Sequence, residues 1–262
     1  MNLEHITKQA AEIAKEVGAF IRNERLTFTY DKVELKKGHS DLVSYVDKES
    51  EKRIVQGLEA LIPDAGYITE EGMTDQGQKE YTWIIDPLDG TTNFIHGIPN
   101  YCVSIGLMYN HEIVAGVVYE VANNECFHGW KDGGAYLDNE PIQVSPSTEF
   151  KEVVLATGFP YYNFEKLDQY LKILNQLMKN TQGLRRMGSA AADMAYVACG
   201  RYGGFFEHNL NSYDIAAGVI LVKEAGGSIT DFKGGGDFIF GREIVAGGGI
   251  HPNLLSVIQK FW

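Results

Sequence analysis

Asp86 and Asp89 stand three positions apart in the run Trp83-Ile84-Ile85-Asp86-Pro87-Leu88-Asp89-Gly90-Thr91-Thr92-Asn93-Phe94. Trp83, Ile84 and Ile85 read as a short buried strand, which Asp-Pro-Leu-Asp-Gly breaks with turn chemistry. Thr91, Thr92 and Asn93 suit a helix start, because their side chains can cap free backbone N–H groups. Two carboxylates leaving a rigid strand suit a hard cation such as Mg2+. The free amides just beyond them suit a phosphate. Side by side, the two sites point to metal-assisted phosphate hydrolysis. The run also reads as a plain turn, with Asp86 ending the strand and Asp89 capping, so the rest of the chain has to discriminate.

Other acidic residues sit where elements begin or end. Glu70 and Glu71 follow a short strand at Tyr67-Ile68-Thr69; such a pair is usually a solvated loop, but it can also offer one ligand inward, and if Glu70 and Asp86 end neighbouring strands, they meet. Asp214 opens the most apolar helix, Asn211 to about Gly226. A carboxylate there suits the helix dipole, but at a buried helix end it needs a partner, and a metal is a good one. Asp47 starts a helix running to Leu61; it reads as an N-cap, the reading the sequence favours, or as a carboxylate that orients a hydroxyl or water. Gly188-Ser189-Ala190-Ala191-Ala192 opens another helix, and its small residues permit close approach of a ligand or of a neighbouring helix. Glu207 ends a strand from Tyr202. Arg185 and Arg186 read as surface charge, an anion contact or a subunit interface.

The elements that position these residues follow from periodicity. Leu3 to Glu24 is an amphipathic helix, and Leu26 to Lys37 reads as a hairpin or two short strands. Lys36–Ser40 reads as a polar loop, either a mobile flap near the site or a plain solvated turn, the reading the sequence favours, and Met73–Tyr81 reads as loop. Strands alternate through Ile98–Val121, with a hairpin turn at Asn110-His111, and continue at 125–130 and 135–137. A linker at Pro141–Glu149 separates halves 1–145 and 146–262, expected to form one compact unit. The second half holds a strand at 153–157, a helix over Lys166–Asn180 with Leu167, Tyr170, Leu171, Leu174, Leu177 and Met178 inward, strands at 229–231 and 244–246, and a final helix from His251. Interleaved helices and hairpins predict an α+β fold of layered sheets and helices rather than a simple parallel sheet.

Composition narrows the classes. A length of 262 residues, 44% hydrophobic and 22% charged, fits a globular protein with a large core. A net charge of −12 disfavours a general nucleic-acid binder and requires cations at any site for an anionic substrate. No apolar run approaches the roughly 20 residues of a membrane span, and the N-terminus shows no signal peptide. Cys102, Cys126 and Cys199 lack zinc-like spacing and read as reduced thiols of a cytoplasmic protein.

Glu70-Glu71, then Asp86-Pro-Leu-Asp-Gly-Thr-Thr-Asn-Phe94, then Tyr213-Asp-Ile-Ala-Ala-Gly218 before an apolar helix ending Glu224-Ala-Gly-Gly227 resemble, in content and order, the inositol monophosphatase family of lithium-sensitive, magnesium-dependent phosphatases. The resemblance spans essentially the whole chain. It implies an αβαβα sandwich with mixed and antiparallel sheets, usually a homodimer. It further implies two to three Mg2+ ions per subunit: Glu70, Asp86 and the Leu88 carbonyl for the first, Asp86, Asp89 and Asp214 for the second, and a weak third near Glu70. By the same resemblance Thr91, paired with Asp47, orients the nucleophilic water. The Gly90 and Thr91 amides bind phosphate, and Gly188, Ser189, Ala190 and Glu207 contact substrate hydroxyls. Two departures adjoin ligands: Thr69 where the family usually has Gly, and Tyr213 where it usually has Trp.

The function so implied is hydrolysis of inositol monophosphate and similar small phosphate monoesters by metal-activated water. Fructose-1,6-bisphosphatase, or a phosphatase of 3′,5′-bisphosphate nucleotides or histidinol phosphate, is the alternative within the superfamily. Thr92, where the nucleotide and histidinol types more often carry Lys, and Glu207, which suits a polyol hydroxyl better than a second phosphate, favour the inositol type. A partner of the transcription machinery, as some bacterial members are thought to be, is the alternative from another class.

Overall fold

The computed structural model describes residues 1–30, 33–35, 42–72, 79–161 and 164–262. The expected turn at Lys36–Ser40, and 73–78 of the expected loop, lie outside them. Asn2 caps α1 (Leu3–Thr27), its side chain accepting from the His5 amide at 3.1 Å. α1 therefore extends beyond Glu24 into the stretch read as strand. β1 (Val33–Leu35) and β2 (Leu42–Ser44) form a separate antiparallel pair, followed by α2 (Tyr45–Glu59).

β3 (Gly66–Thr69) runs parallel to β4 (Tyr81–Asp89) at one end of a seven-stranded sheet. α3 (Thr91–His96) leads from β4 to β5 (Cys102–Tyr109), β6 (Glu112–Glu120), β7 (Glu125–Trp130), β8 (Gly134–Leu137) and β9 (Glu140–Pro141). From β4 onward this sheet is antiparallel, in chain order. β4 is much longer than the expected Trp83–Ile85. It continues through Pro87 by shifting register between Asp86 and Asp89, a bulge that accommodates a residue without an N–H to donate.

After β10 (Val154–Thr157) come α4 (Leu167–Asn180), β11 (Gly183–Arg185), α5 (Ala190–Ala198), β12 (Gly204–His208), α6 (Ser212–Glu224), β13 (Ser228–Thr230), β14 (Glu243–Gly247) and α7 (His251–Phe261). The second sheet has order β11-β10-β12-β14-β13, parallel through β12 and antiparallel thereafter. On α4, Tyr170, Ile173, Leu174 and Leu177 are buried. Leu171 and Met178, expected inward, are 49% and 60% exposed: their positions fall beside, not on, the packed stripe.

Three apolar cores divide these elements into five layers. The first joins α1 and α2 to one face of the seven-stranded sheet. The second surrounds α5 and α6 between the two sheets. The third joins α4 and α7 to the outer face of the five-stranded sheet. This is the expected αβαβα sandwich. α6 is apolar on all sides because sheets and α5 enclose it, and that enclosure fixes where its N-terminal Asp214 stands.

Close approach of α6 to the first sheet depends on Gly116. A Cβ there would lie 2.6 Å from both the Ala217 carbonyl oxygen and the Ile220 side chain. Gly116→Val is expected to cost about 2 kcal/mol by overpacking and to lower Tm by roughly 4–8 °C, as read by thermal denaturation followed by circular dichroism. An unchanged Tm would show that α6 can retreat from the sheet freely.

Candidate active site

β3 and β4, being parallel and in register at Thr69 and Ile85, deliver Glu70 and Asp86 to the same sheet end; the Glu70 amide donates to the Ile85 carbonyl at 3.2 Å. Asp86 is 2% exposed and its Oδ1 accepts from the Leu88 amide at 3.0 Å. Asp89 Oδ2 accepts from the Ser189 hydroxyl and the Ala191 amide, each at 2.7 Å. The start of α5 thus orients a carboxylate from β4. Asp214 is the N3 residue of α6, where its Oδ2 accepts from the Asn211 amide at 2.6 Å. One backbone N–H therefore steadies each of the three aspartates.

These carboxylates share one electrostatic problem. Burial raises the Asp86 pKa well above the usual range, and the charges of Glu70, Asp89 and Asp214 raise it further. Burial also raises Asp214, with the Asp89 charge next in importance. For Asp89 burial drives the pKa up to about 6, against the pull of its Ser189 and Ala191 hydrogen bonds. Arg186 lowers the Asp89 pKa, yet burial still holds all three aspartates above the usual carboxylate range, so the cluster favours further positive charge. Among the described residues no three such side chains already close into a coordination cage. The donor set nonetheless fits a hard divalent cation: carboxylate oxygens on rigid elements, facing one another, with no sulfur or imidazole among them.

Thr91 begins α3 beside this cluster. Its Oγ1 lies 2.8 Å from Asp47 Oδ1 and 3.0 Å from the Leu88 carbonyl. Asp47 is not the N-cap that the sequence favours. Ser44 caps α2, and Asp47, as the N3 residue, accepts at Oδ2 from the Ser44 amide at 2.9 Å and the Ser44 hydroxyl at 2.7 Å. The helix starts two residues earlier than expected, which frees Oδ1 for Thr91. The capping expected of Thr91, Thr92 and Asn93 is also absent. Gly90 occupies the N-cap with φ of 93°, and no side chain caps α3. Asn93 instead donates from Nδ2 to the carbonyls of Asn100 and Met187, both at 2.7 Å, joining α3 to the segment before α5.

Glu70, Asp89, Gly90, Thr91 and Asp214 open on a cleft of about 1130 Å³. Gly188, Ser189, Ala190 and Glu207 line it as well, so the structure brings the expected metal and substrate residues to one place. Asp47, Asp86 and Leu88 stand just behind, fully or nearly buried. Ser189 caps α5 and is committed to Asp89. Burial pushes Glu207 up to about 8, with Arg186 opposing. Gly158 leaves room for it: a Cβ there would overlap the Glu207 carboxylate and force it to move.

Of the two departures, Thr69 donates its hydroxyl to Glu51 Oε1 at 3.0 Å. Glu51 Oε2 accepts from the Glu71 amide at 2.8 Å. This buried carboxylate, which sequence reasoning missed, shapes the turn after β3; its helical spacing to Ile54 and Val55, on the apolar face of α2, was the available signal. Tyr213 lines the cleft, and its carbonyl accepts from Ser104 at 3.3 Å. Arg186 also lines the cleft, its guanidinium carbon 5.0 Å from the Tyr161 ring centroid. Asp193 lines it too, and was also missed.

Comparison with known proteins identifies the family. The model of the inositol monophosphatase family matches residues 2–262. An inositol-1-monophosphatase of Rhizobium meliloti is 41% identical over 226 residues, covering 86% of this chain and 85% of the relative. A Nus factor SuhB of Vibrio cholerae is 41% identical over 211 residues, covering 80% and 79%. Among solved structures, the extragenic suppressor protein suhB of Bartonella henselae superposes with a TM-score of 0.91 at 37% identity, over 99% of both chains. The chain belongs to the inositol monophosphatase family, whose members are phosphoric monoester hydrolases.

Proposed function

We propose that the chain hydrolyses inositol monophosphate and similar small polyol phosphates in the cleft between Asp86 and Glu207, with Mg2+ as its metal. The observation that supports this most is that Glu70, Asp89, Asp214 and Thr91 line one cleft, with Asp86 and the Asp47 that holds Thr91 buried directly behind it. Glu70, Asp86 and the Leu88 carbonyl would hold one ion, Asp86, Asp89 and Asp214 a second, with a weaker third near Glu70. When bound, Mg2+ supplies charge for the phosphate oxygens and Lewis-acid activation of water.

The chain's own groups do the rest. The Gly90 and Thr91 amides hold the phosphate. The Thr91 hydroxyl, held by Asp47, accepts a hydrogen bond from the attacking water and aims it; a threonine hydroxyl is too weak a base to take the proton outright. Glu207 and the start of α5 hold the hydroxyls of the leaving group, so the ester is fixed at both ends before the P–O bond breaks. Acidic walls at Glu207 favour hydroxyls over a second phosphate, which ranks a sugar bisphosphate behind an inositol phosphate.

The proposal extends to assembly and setting: a homodimer in the cytoplasm, each chain built of halves 1–145 and 146–262 in one compact unit. The packing of α6, from the second half, on the sheet of the first supports that unit. Among the described residues no helix is long and apolar enough to cross a membrane. A role as a partner of the transcription machinery is the second reading, and the similarity to a Nus factor SuhB favours it. Retention of RNA polymerase by Asp89→Asn protein, with phosphate release lost, would establish that role as separate from catalysis.

Phosphate release with Mg2+ tests the main reading on inositol-1-phosphate, fructose-1,6-bisphosphate, adenosine-3′,5′-bisphosphate and histidinol phosphate, each with and without lithium. Preference for inositol-1-phosphate is expected; preference for a bisphosphate would overturn the substrate assignment. Asp89→Asn is expected to lower kcat at least about 100-fold in a folded protein, and wild-type rates would refute its ligand role. Thr91→Ala is expected to lower kcat by about 10²-fold or more with little change in KM; a rise in KM alone would assign Thr91 to binding. Adding Mg2+ to chelator-treated protein at neutral pH is expected to raise Tm by several degrees, because the ion relieves repulsion present only in the folded state. No shift at millimolar Mg2+ would remove the cluster as a metal site.

A further inference from the structure

α5 is apolar and enclosed: Ala190, Ala191, Ala192, Met194, Ala195, Tyr196, Val197 and Ala198 are all buried. Asp193 is its one ionisable carboxylate and is 2% exposed. Its Oδ1 has no hydrogen-bond partner among the described residues. A buried carboxyl oxygen without a partner is costly, and buried polar groups are nearly always satisfied. Asp193 also lines the cleft that holds Thr91, Asp214 and Glu207, so its missing partner belongs to what the cleft contains.

The surroundings indicate what that partner is. Glu207 and Asp89 place negative charge near Asp193, and Arg186 places positive charge there. A second phosphate would meet two further carboxyls, and an ammonium group would meet Arg186. A neutral hydroxyl meets neither obstacle, and it can donate to one carboxyl while accepting from other groups. Asp193 stands one turn into α5 from Gly188-Ser189-Ala190, on the side of the cleft that the reading above gives to the leaving group.

We propose that Asp193 is a further specificity-determining residue, whose buried carboxyl hydrogen-bonds a hydroxyl of the polyol alongside Glu207. The inference rests on the proposed phosphatase reading and deepens it. The cleft then selects polyhydroxylated esters over simple ones, because an ester without that hydroxyl leaves the buried carboxyl unsatisfied.

The test measures kcat and KM for inositol-1-phosphate and for p-nitrophenyl phosphate, which carries no hydroxyl, in wild type, Asp193→Asn and Asp193→Ala with Mg2+. In Asp193→Ala the ratio of kcat/KM for the inositol ester to that for the nitrophenyl ester is expected to fall roughly 10-fold or more, chiefly through KM. Asp193→Asn, which keeps a hydrogen-bonding side chain of the same shape, is expected to recover part of it. An equal loss on both esters, or no loss on the inositol ester, would overturn the inference and leave the phosphatase reading intact. Failure of both variants to fold, judged by circular dichroism, would make Asp193 structural and also overturn it. No phosphate release from either ester by the wild type would overturn the phosphatase reading and the inference together.

Discussion

Four carboxylates that repel one another, Glu70, Asp86, Asp89 and Asp214, are the constraint on which this structure turns. The bulge in β4 presents two of them, the adjacent parallel strand a third, and the enclosed N-terminus of α6 the last. Such an arrangement disfavours the metal-free fold, and the two sheets with their helices must supply the stability that offsets it. The backbone amides of Leu88, Ala191 and Asn211 each orient one aspartate. The acids therefore keep their places without neutralising one another, which is what a site that takes up cations requires.

The same economy of position recurs in Asp47. One oxygen completes the capping box of α2 and the other holds Thr91. The position of the hydroxyl is thereby set by a helix terminus packed in the first core, not by a loop. Asn93 plays a comparable part across the cleft: its amide ties α3 to the Met187 carbonyl, so that the start of α3 is joined to the segment leading into α5.

Much of this was legible in the chain. The Asp86–Phe94 run, Glu70 after a strand and Asp214 before an apolar helix were visible as chemistry, and periodicity located most helices and strands. Errors arose where a local signal admitted two backbone solutions. Asp47 read as a cap because a cap residue and an N3 acid look alike without knowing where the helix starts. Thr91 and Asn93 read as cap residues, yet the Thr91 hydroxyl bonds Asp47 and the Asn93 amide bonds the Asn100 and Met187 carbonyls instead. β4 read as short because Pro87 usually ends a strand, whereas a bulge let it continue. Leu171 and Met178 read as core because hydrophobicity does not reveal how wide the buried stripe of α4 is.

By itself the sequence determined which acidic side chains stand at the ends of strands and helices, the order of the elements and the layered α+β architecture, because side-chain chemistry and apolar spacing are local properties. Only the tertiary structure decided which acids face one another, that Ser189 and Ala191 hold an aspartate a hundred residues away, and that Asp193 is buried on the cleft wall with no hydrogen-bond partner for its Oδ1 among the described residues. Those facts depend on how α5 and α6 are enclosed between two sheets. Contacts between residues so far apart in the chain are fixed by packing the whole core, and no window of sequence contains that information.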